Sequence, residues 1–177
     1  MMQLLRRNKL LCLMMLAVAL FSGCEAINEE LPSYQQSSKV RVGDLAPMFK
    51  IEALDGTELT MPSHEPTLLI LFSHTCPDCR NMMSDLQQYL DSNALSYNVM
   101  AISRGGTSDE IMAFVEECNL AFKVAADESK GIYYQYADMY VPRCYVIDVD
   151  GVIRFMTYEY QPDDIPQLVT ELNKLIY

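Results

Sequence analysis

Residues 67–79 read Thr67-Leu68-Leu69-Ile70-Leu71-Phe72-Ser73-His74-Thr75-Cys76-Pro77-Asp78-Cys79. A strand exposed on one face alternates apolar and polar side chains, whereas the run Thr67 to Phe72 is almost continuously apolar. It predicts a strand buried on both faces at the centre of a sheet. Beyond it, Met82, Met83, Leu86, Tyr89 and Leu90 recur at helical spacing. The C-x-x-C pair therefore falls where a buried strand ends and a helix begins. Pro77 suits the first helical turn, where a missing N–H costs nothing. At that end of a helix the peptide dipoles favour negative charge, so a thiolate at Cys76 is stabilised. Cys79 is shielded by its own helix, and the two sulfurs can close and reopen a small disulfide ring.

Outward from this stretch, the pattern alternates strands and helices. Phe49 to Ala53 and Glu58 to Met61 flank Asp55-Gly56, a hairpin signal, and a second hairpin is predicted for Tyr145 to Val149 and Val152 to Thr157 around Asp150-Gly151. Asn98 to Ser103 reads as a strand and Phe122 to Ala125 as a shorter one. Ile111, Phe114, Val115 and Cys118 share one helical face. Gly131 to Met139 is a Tyr-rich helix candidate. Ile165, Leu168, Val169, Leu172 and Ile176 form the stripe of a closing helix behind Pro162, Asp163 and Asp164. A βαβ start, a β-hairpin and a closing helix imply an α/β fold with a mixed central sheet, helices on both faces and an N-terminal β-hairpin.

The first residues read as targeting. Arg6, Arg7 and Lys9 precede the apolar run Leu10 to Phe21, which as a helix spans roughly 18 Å against a hydrocarbon core of about 30 Å. This is the order of a signal peptide, and Leu20-Phe21-Ser22-Gly23-Cys24 resembles a bacterial lipoprotein cleavage site in which Cys24 becomes the lipidated first residue. The expected organisation is a signal peptide over 1–23, a lipidated cysteine and flexible tether over 24–39, and a folded domain over 40–177. Acyl chains on Cys24 would hold the domain at a membrane surface; the other reading is an ordinary secretory signal. The 177-residue chain carries a formal net charge of −11, and the removed segment would take cations with it. So acidic a surface offers no basic patch for phosphates, and nucleic acid is not an expected partner.

Four cysteines lie in the expected domain: Cys76, Cys79, Cys118 and Cys144. Zinc would need a second pair at ligand spacing, which Cys118 and Cys144 do not supply. Covalent haem attachment would need His after the pair, and Arg80 stands there. A purely structural disulfide leaves the strand-to-helix placement unexplained. Cys118 and Cys144 read most simply as small buried hydrophobes, with a disulfide between them as the other reading. No metal or cofactor is expected. His74 could stabilise the Cys76 thiolate or relay a proton, or be a half-exposed strand-end histidine. Arg143 could attract an acidic partner or be merely solvated.

These motifs resemble the thioredoxin-like fold, and within it the membrane-tethered thiol-disulfide oxidoreductases of the TlpA/ResA type, related to the alkyl hydroperoxide reductase/thiol antioxidant group. The likeness runs from about Val42 to the C-terminus. It rests on Val42-Gly43-Asp44-Leu45-Ala46-Pro47-Met48-Phe49, on TLLILFS leading into CPDC, and on Val141-Pro142 before CYVIDVDG. The resemblance implies that Pro142 is cis and faces the sulfurs, so that the backbone of Val141 can pair with an extended substrate strand. It also implies catalysis by Cys76, which attacks, and Cys79, which resolves; Thr75, Pro77, Asp78 and His74 are the candidate tuning residues beside them by their own positions and chemistry. Protein disulfides of the cell envelope are the implied substrates, with a separate electron donor. Thr75 stands where the family usually has Trp, Arg143 where it has Thr after the proline, and Ile70 where thioredoxins often carry a buried Asp. Two alternatives are a thiol peroxidase, whose pattern would need Pro in place of Leu69 although Ser73 fits its Thr/Ser position, and a non-catalytic Cu(I)-binding module using Cys76 and Cys79.

Overall fold

The computed structural model describes residues 33–93 and 97–176. The expected signal peptide, Cys24 and the start of the tether lie outside them. In chain order the elements are α1 (Ser33–Gln36), β1 (Phe49–Glu52), β2 (Glu58–Met61), β3 (Thr67–Phe72), α2 (Pro77–Ser92), β4 (Asn98–Arg104), α3 (Ser108–Glu117), β5 (Lys123–Asp127), α4 (Tyr133–Tyr136), β6 (Arg143–Ile147), β7 (Ile153–Tyr158) and α5 (Asp164–Ile176).

β1 and β2 pair antiparallel as a separate two-stranded sheet, and the other strands form one sheet in the order β5-β4-β3-β6-β7. β3 is parallel to β4 and antiparallel to β6, so the sheet is mixed and β3 is central. All six of its residues are buried, which is why the run carries no alternation. Leu68, Ile70 and Phe72 face one core with Met82, Met83 and Leu86 of α2, Ile111 and Phe114 of α3 and Leu168 and Leu172 of α5. Leu69 and Leu71 face the other, with Phe49, Leu59 and Met61 from the hairpin and Tyr133 and Tyr136 of α4. The expected fold class, with helices on both faces, is borne out.

Several boundaries differ from the sequence reading, each for a local reason. The Tyr-rich helix is only Tyr133–Tyr136, because the Asp127 carboxylate accepts the N–H groups of Gly131, Ile132 and Tyr133 at its start and Ala137 turns extended to bridge Ser38. β6 begins at Arg143 and ends at Ile147, where the Asp148 side chain takes over by accepting N–H bonds from Asp150 and Val152. Cys118 is the C-cap of α3 and not part of its interior.

The tether needs a larger correction. Lys39 N–H donates to the Tyr136 carbonyl at 2.9 Å and Asp138 N–H to the Ser37 carbonyl at 2.9 Å. Ser37 to Lys39, expected to be free chain, are thus laid onto the domain by backbone pairing that leaves no hydrophobic period in the sequence.

Candidate active site

Cys76 is the N-cap of α2, in extended conformation, with Pro77 opening the helix as expected. Its N–H donates to the Ser73 carbonyl at 3.1 Å, and its carbonyl accepts from Arg80 N–H at 3.2 Å. The side chain is partly buried, and the thiol points at the Val141 carbonyl oxygen, 3.7 Å from Sγ. The Val141–Pro142 peptide bond is cis, as the resemblance implied. A second cis bond, Met61–Pro62, had no distinguishing signal in the sequence.

Cys79, one helical turn along, is fully buried. Its Sγ accepts the Ser73 backbone N–H at 3.4 Å. Burial pushes the Cys79 thiol well above its ordinary value, against the hydrogen bond from Ser73, which works the other way. The pair therefore consists of one sulfur near the surface at a helix start and one sulfur held inside as a protonated thiol. Ser73, which the sequence offered only as a fit to the peroxidase pattern, bonds both residues of the pair.

Thr75 and Asp78 are exposed beside the sulfurs. The hydroxyls of Ser73 and Thr75 lie 3.0 Å apart in a hydrogen bond. His74 rests against Gly106 in the turn between β4 and α3; a Cβ on Gly106 would lie 2.7 Å from His74 Cε1. Its Nδ1 is enclosed without a hydrogen-bond partner. The Glu110 carboxyl is held below its usual value by the backbone N–H and hydroxyl of Thr107, and by the charge of His74.

Behind the pair, Arg80 ion-pairs with Glu117 at 2.6 Å and lies over the Phe114 ring, fastening α2 to α3. Cys118 Sγ is 3.9 Å from Arg80 Nη1, while Cys144 is enclosed in β6 with its thiol pushed up to about 12 by burial. Both are free thiols, so the disulfide considered between them is not formed. Arg143 departs most from its sequence reading. It is completely buried, so it is neither a surface attractor nor a solvated charge.

The model of the AhpC/TSA family matches residues 42–156. The chain belongs to the AhpC/TSA family. Among curated proteins, this AhpC/TSA chain is 28% identical over 130 residues to the thioredoxin-like protein YneN of Bacillus subtilis, covering 68% of this chain and 76% of that one. It is 22% identical over 152 residues to the thiol-disulfide oxidoreductase ResA of Bacillus cereus, covering 84% and 87%. Among solved structures, one from Bacteroides thetaiotaomicron, named as a candidate protein disulfide isomerase, superposes with a TM-score of 0.68 at 26% identity, over 78% of this chain and 92% of that one. The chain is by class a thioredoxin-like thiol-disulfide oxidoreductase, as its motifs led us to expect.

Proposed function

We propose that this protein exchanges disulfides in envelope proteins from a lipid anchor at Cys24, with Cys76 as the attacking sulfur and Cys79 as the resolving one. The inequality of the two sulfurs carries this reading: Cys76 is partly exposed at the helix start beside the Val141 carbonyl, and Cys79 is buried under the Ser73 N–H.

The Cys76 thiolate attacks one sulfur of a substrate disulfide; that S–S bond breaks, and the other substrate sulfur leaves as a thiolate. Cys79 then loses its proton and attacks Cys76 Sγ, which releases the second substrate thiol. The substrate gains two electrons and the protein ends as the Cys76–Cys79 disulfide, to be reset by a dithiol donor. Val141, half-buried with its carbonyl 3.7 Å from Cys76 Sγ, offers backbone groups with which an extended substrate pairs. Among the described residues no helix is long and apolar enough to cross a membrane, and the reading places attachment at Cys24.

The peroxidase alternative meets an obstacle in the central strand. The position that its pattern gives to proline is Leu69, which stands opposite Met100 and Tyr145 in the middle of β3, where the sheet continues on both sides. Offering the reduced protein a disulfide peptide, hydrogen peroxide or Cu(I), and counting the thiols left on Cys76 and Cys79, separates the three chemistries. Loss of both thiols with stoichiometric peptide reduction is expected. Preferential consumption of peroxide, or Cu(I) occupancy without turnover of the peptide, would replace the reading.

A further inference from the structure

Arg143 is the bulkiest fully buried side chain among the described residues. A guanidinium out of water is retained only where its donors find acceptors. Here Nε donates to the Met139 carbonyl at 3.1 Å and to the Tyr140 carbonyl at 3.2 Å, and Nη2 donates to Met139 O at 2.7 Å and to Ser37 Oγ. The guanidinium carbon lies 5.1 Å from the centre of the Tyr158 ring. From α4, the Tyr133 hydroxyl donates to the same Tyr140 carbonyl at 2.9 Å.

Two side chains from two elements thus hold one short loop from beneath. The loop needs holding, because Tyr140 has φ +68°, a left-handed conformation that bulky side chains rarely adopt. The next residue is Val141, whose carbonyl faces Cys76 Sγ.

We propose that Arg143 is a positioning residue for disulfide exchange with polypeptides: by binding the Met139 and Tyr140 carbonyls it places the Val141 backbone edge at which a substrate chain lies beside Cys76. The inference rests on the proposed exchange reaction and deepens it. It divides substrates into two kinds. A small disulfide reaches Cys76 without pairing along Val141, whereas a peptide disulfide depends on that edge.

The test compares the full chain with Arg143→Lys, which keeps the charge and loses the planar fork, and with Tyr133→Phe, which removes one donor from the Tyr140 carbonyl. Three readouts are taken: KM and kcat for a disulfide peptide, the rate with a small aromatic disulfide, and the Cys76/Cys79 potential in glutathione buffers. Arg143→Lys is expected to raise the peptide KM on the order of tenfold, while kcat, the small-disulfide rate and the potential change less than about twofold or its equivalent. Tyr133→Phe is expected to move the peptide KM in the same direction by less. Equal losses for both disulfides, or an unchanged peptide KM in the folded variants, would overturn the positioning role. If Arg143→Lys does not fold, the peptide KM of Tyr133→Phe decides alone. A parent protein that reduces neither disulfide defeats the exchange reaction itself, and this proposal with it. A parent active on both, with unaffected variants, defeats the positioning role only.

Discussion

Only two residues separate Cys76 from Cys79, and one turn of helix is enough to give them different environments. Between them stands Asp78, exposed and acidic, whose charge opposes the reduced form when Cys76 is a thiolate. Asp78→His should therefore make the protein a stronger oxidant, raising its potential by on the order of 30 mV, as read by glutathione equilibrium. An equal or more negative potential would remove this electrostatic account. Cys144 gives a second prediction. Its thiol ordinarily ionises near 9.0 and is pushed up to about 12 by burial. Above the ordinary value the unfolded chain releases a proton that the folded chain keeps, so this contribution to stability is full below it and lost as pH rises through the alkaline range. Between about pH 8 and about pH 10 the reduced protein should lose about 1 kcal/mol through this group, and Cys144→Ala should lessen that loss in urea unfolding. The pair and Pro142 were legible in the sequence because their motifs are local. Arg143 was not: its burial depends on Ser37 and on the loop at Met139 closing around it, and nothing in an acidic sequence distinguishes that cation from a solvated one.

The elements that carry the site were legible wherever a hydrophobic period or an unbroken apolar run marks them, as in β3, α2 and α5. Where hydrogen bonds set the boundary, the sequence reading overran or fell short, as at α4, whose start is fixed by the Asp127 carboxylate. The start of α3 is another such boundary. Thr107 Oγ1 accepts the Glu110 N–H at 3.3 Å, while Glu110 Oε2 accepts the Thr107 N–H at 2.8 Å, a reciprocal cap that the order Thr107-Ser108-Asp109-Glu110 could have disclosed. Thr107→Ala should cost about 1 kcal/mol in urea unfolding, with Thr107→Ser recovering most of it. Because α3 meets His74 through the Gly106 turn and Arg80 through Glu117, that loss should also raise amide exchange at the start of α2. No change in exchange there would show that α3 and the site are mechanically independent.

At the scale of the whole molecule, the proposed lipid anchor at Cys24 would keep an acidic chain at a membrane surface without electrostatic attraction to it. Cys24→Ser should abolish fatty-acid labelling and release the protein from the membrane fraction; unchanged labelling would remove the anchor from the account. The central claim is that Cys76 attacks and Cys79 resolves on envelope proteins, and trapping tests it most directly. Cells expressing full-length Cys79→Ala or Cys76→Ala would be quenched with acid, and reductant-sensitive adducts would be identified by mass spectrometry. The account predicts that Cys79→Ala accumulates envelope proteins in mixed disulfides through Cys76 and that Cys76→Ala does not. Equal trapping through Cys79 in the Cys76→Ala protein, or no adduct in either, would contradict it.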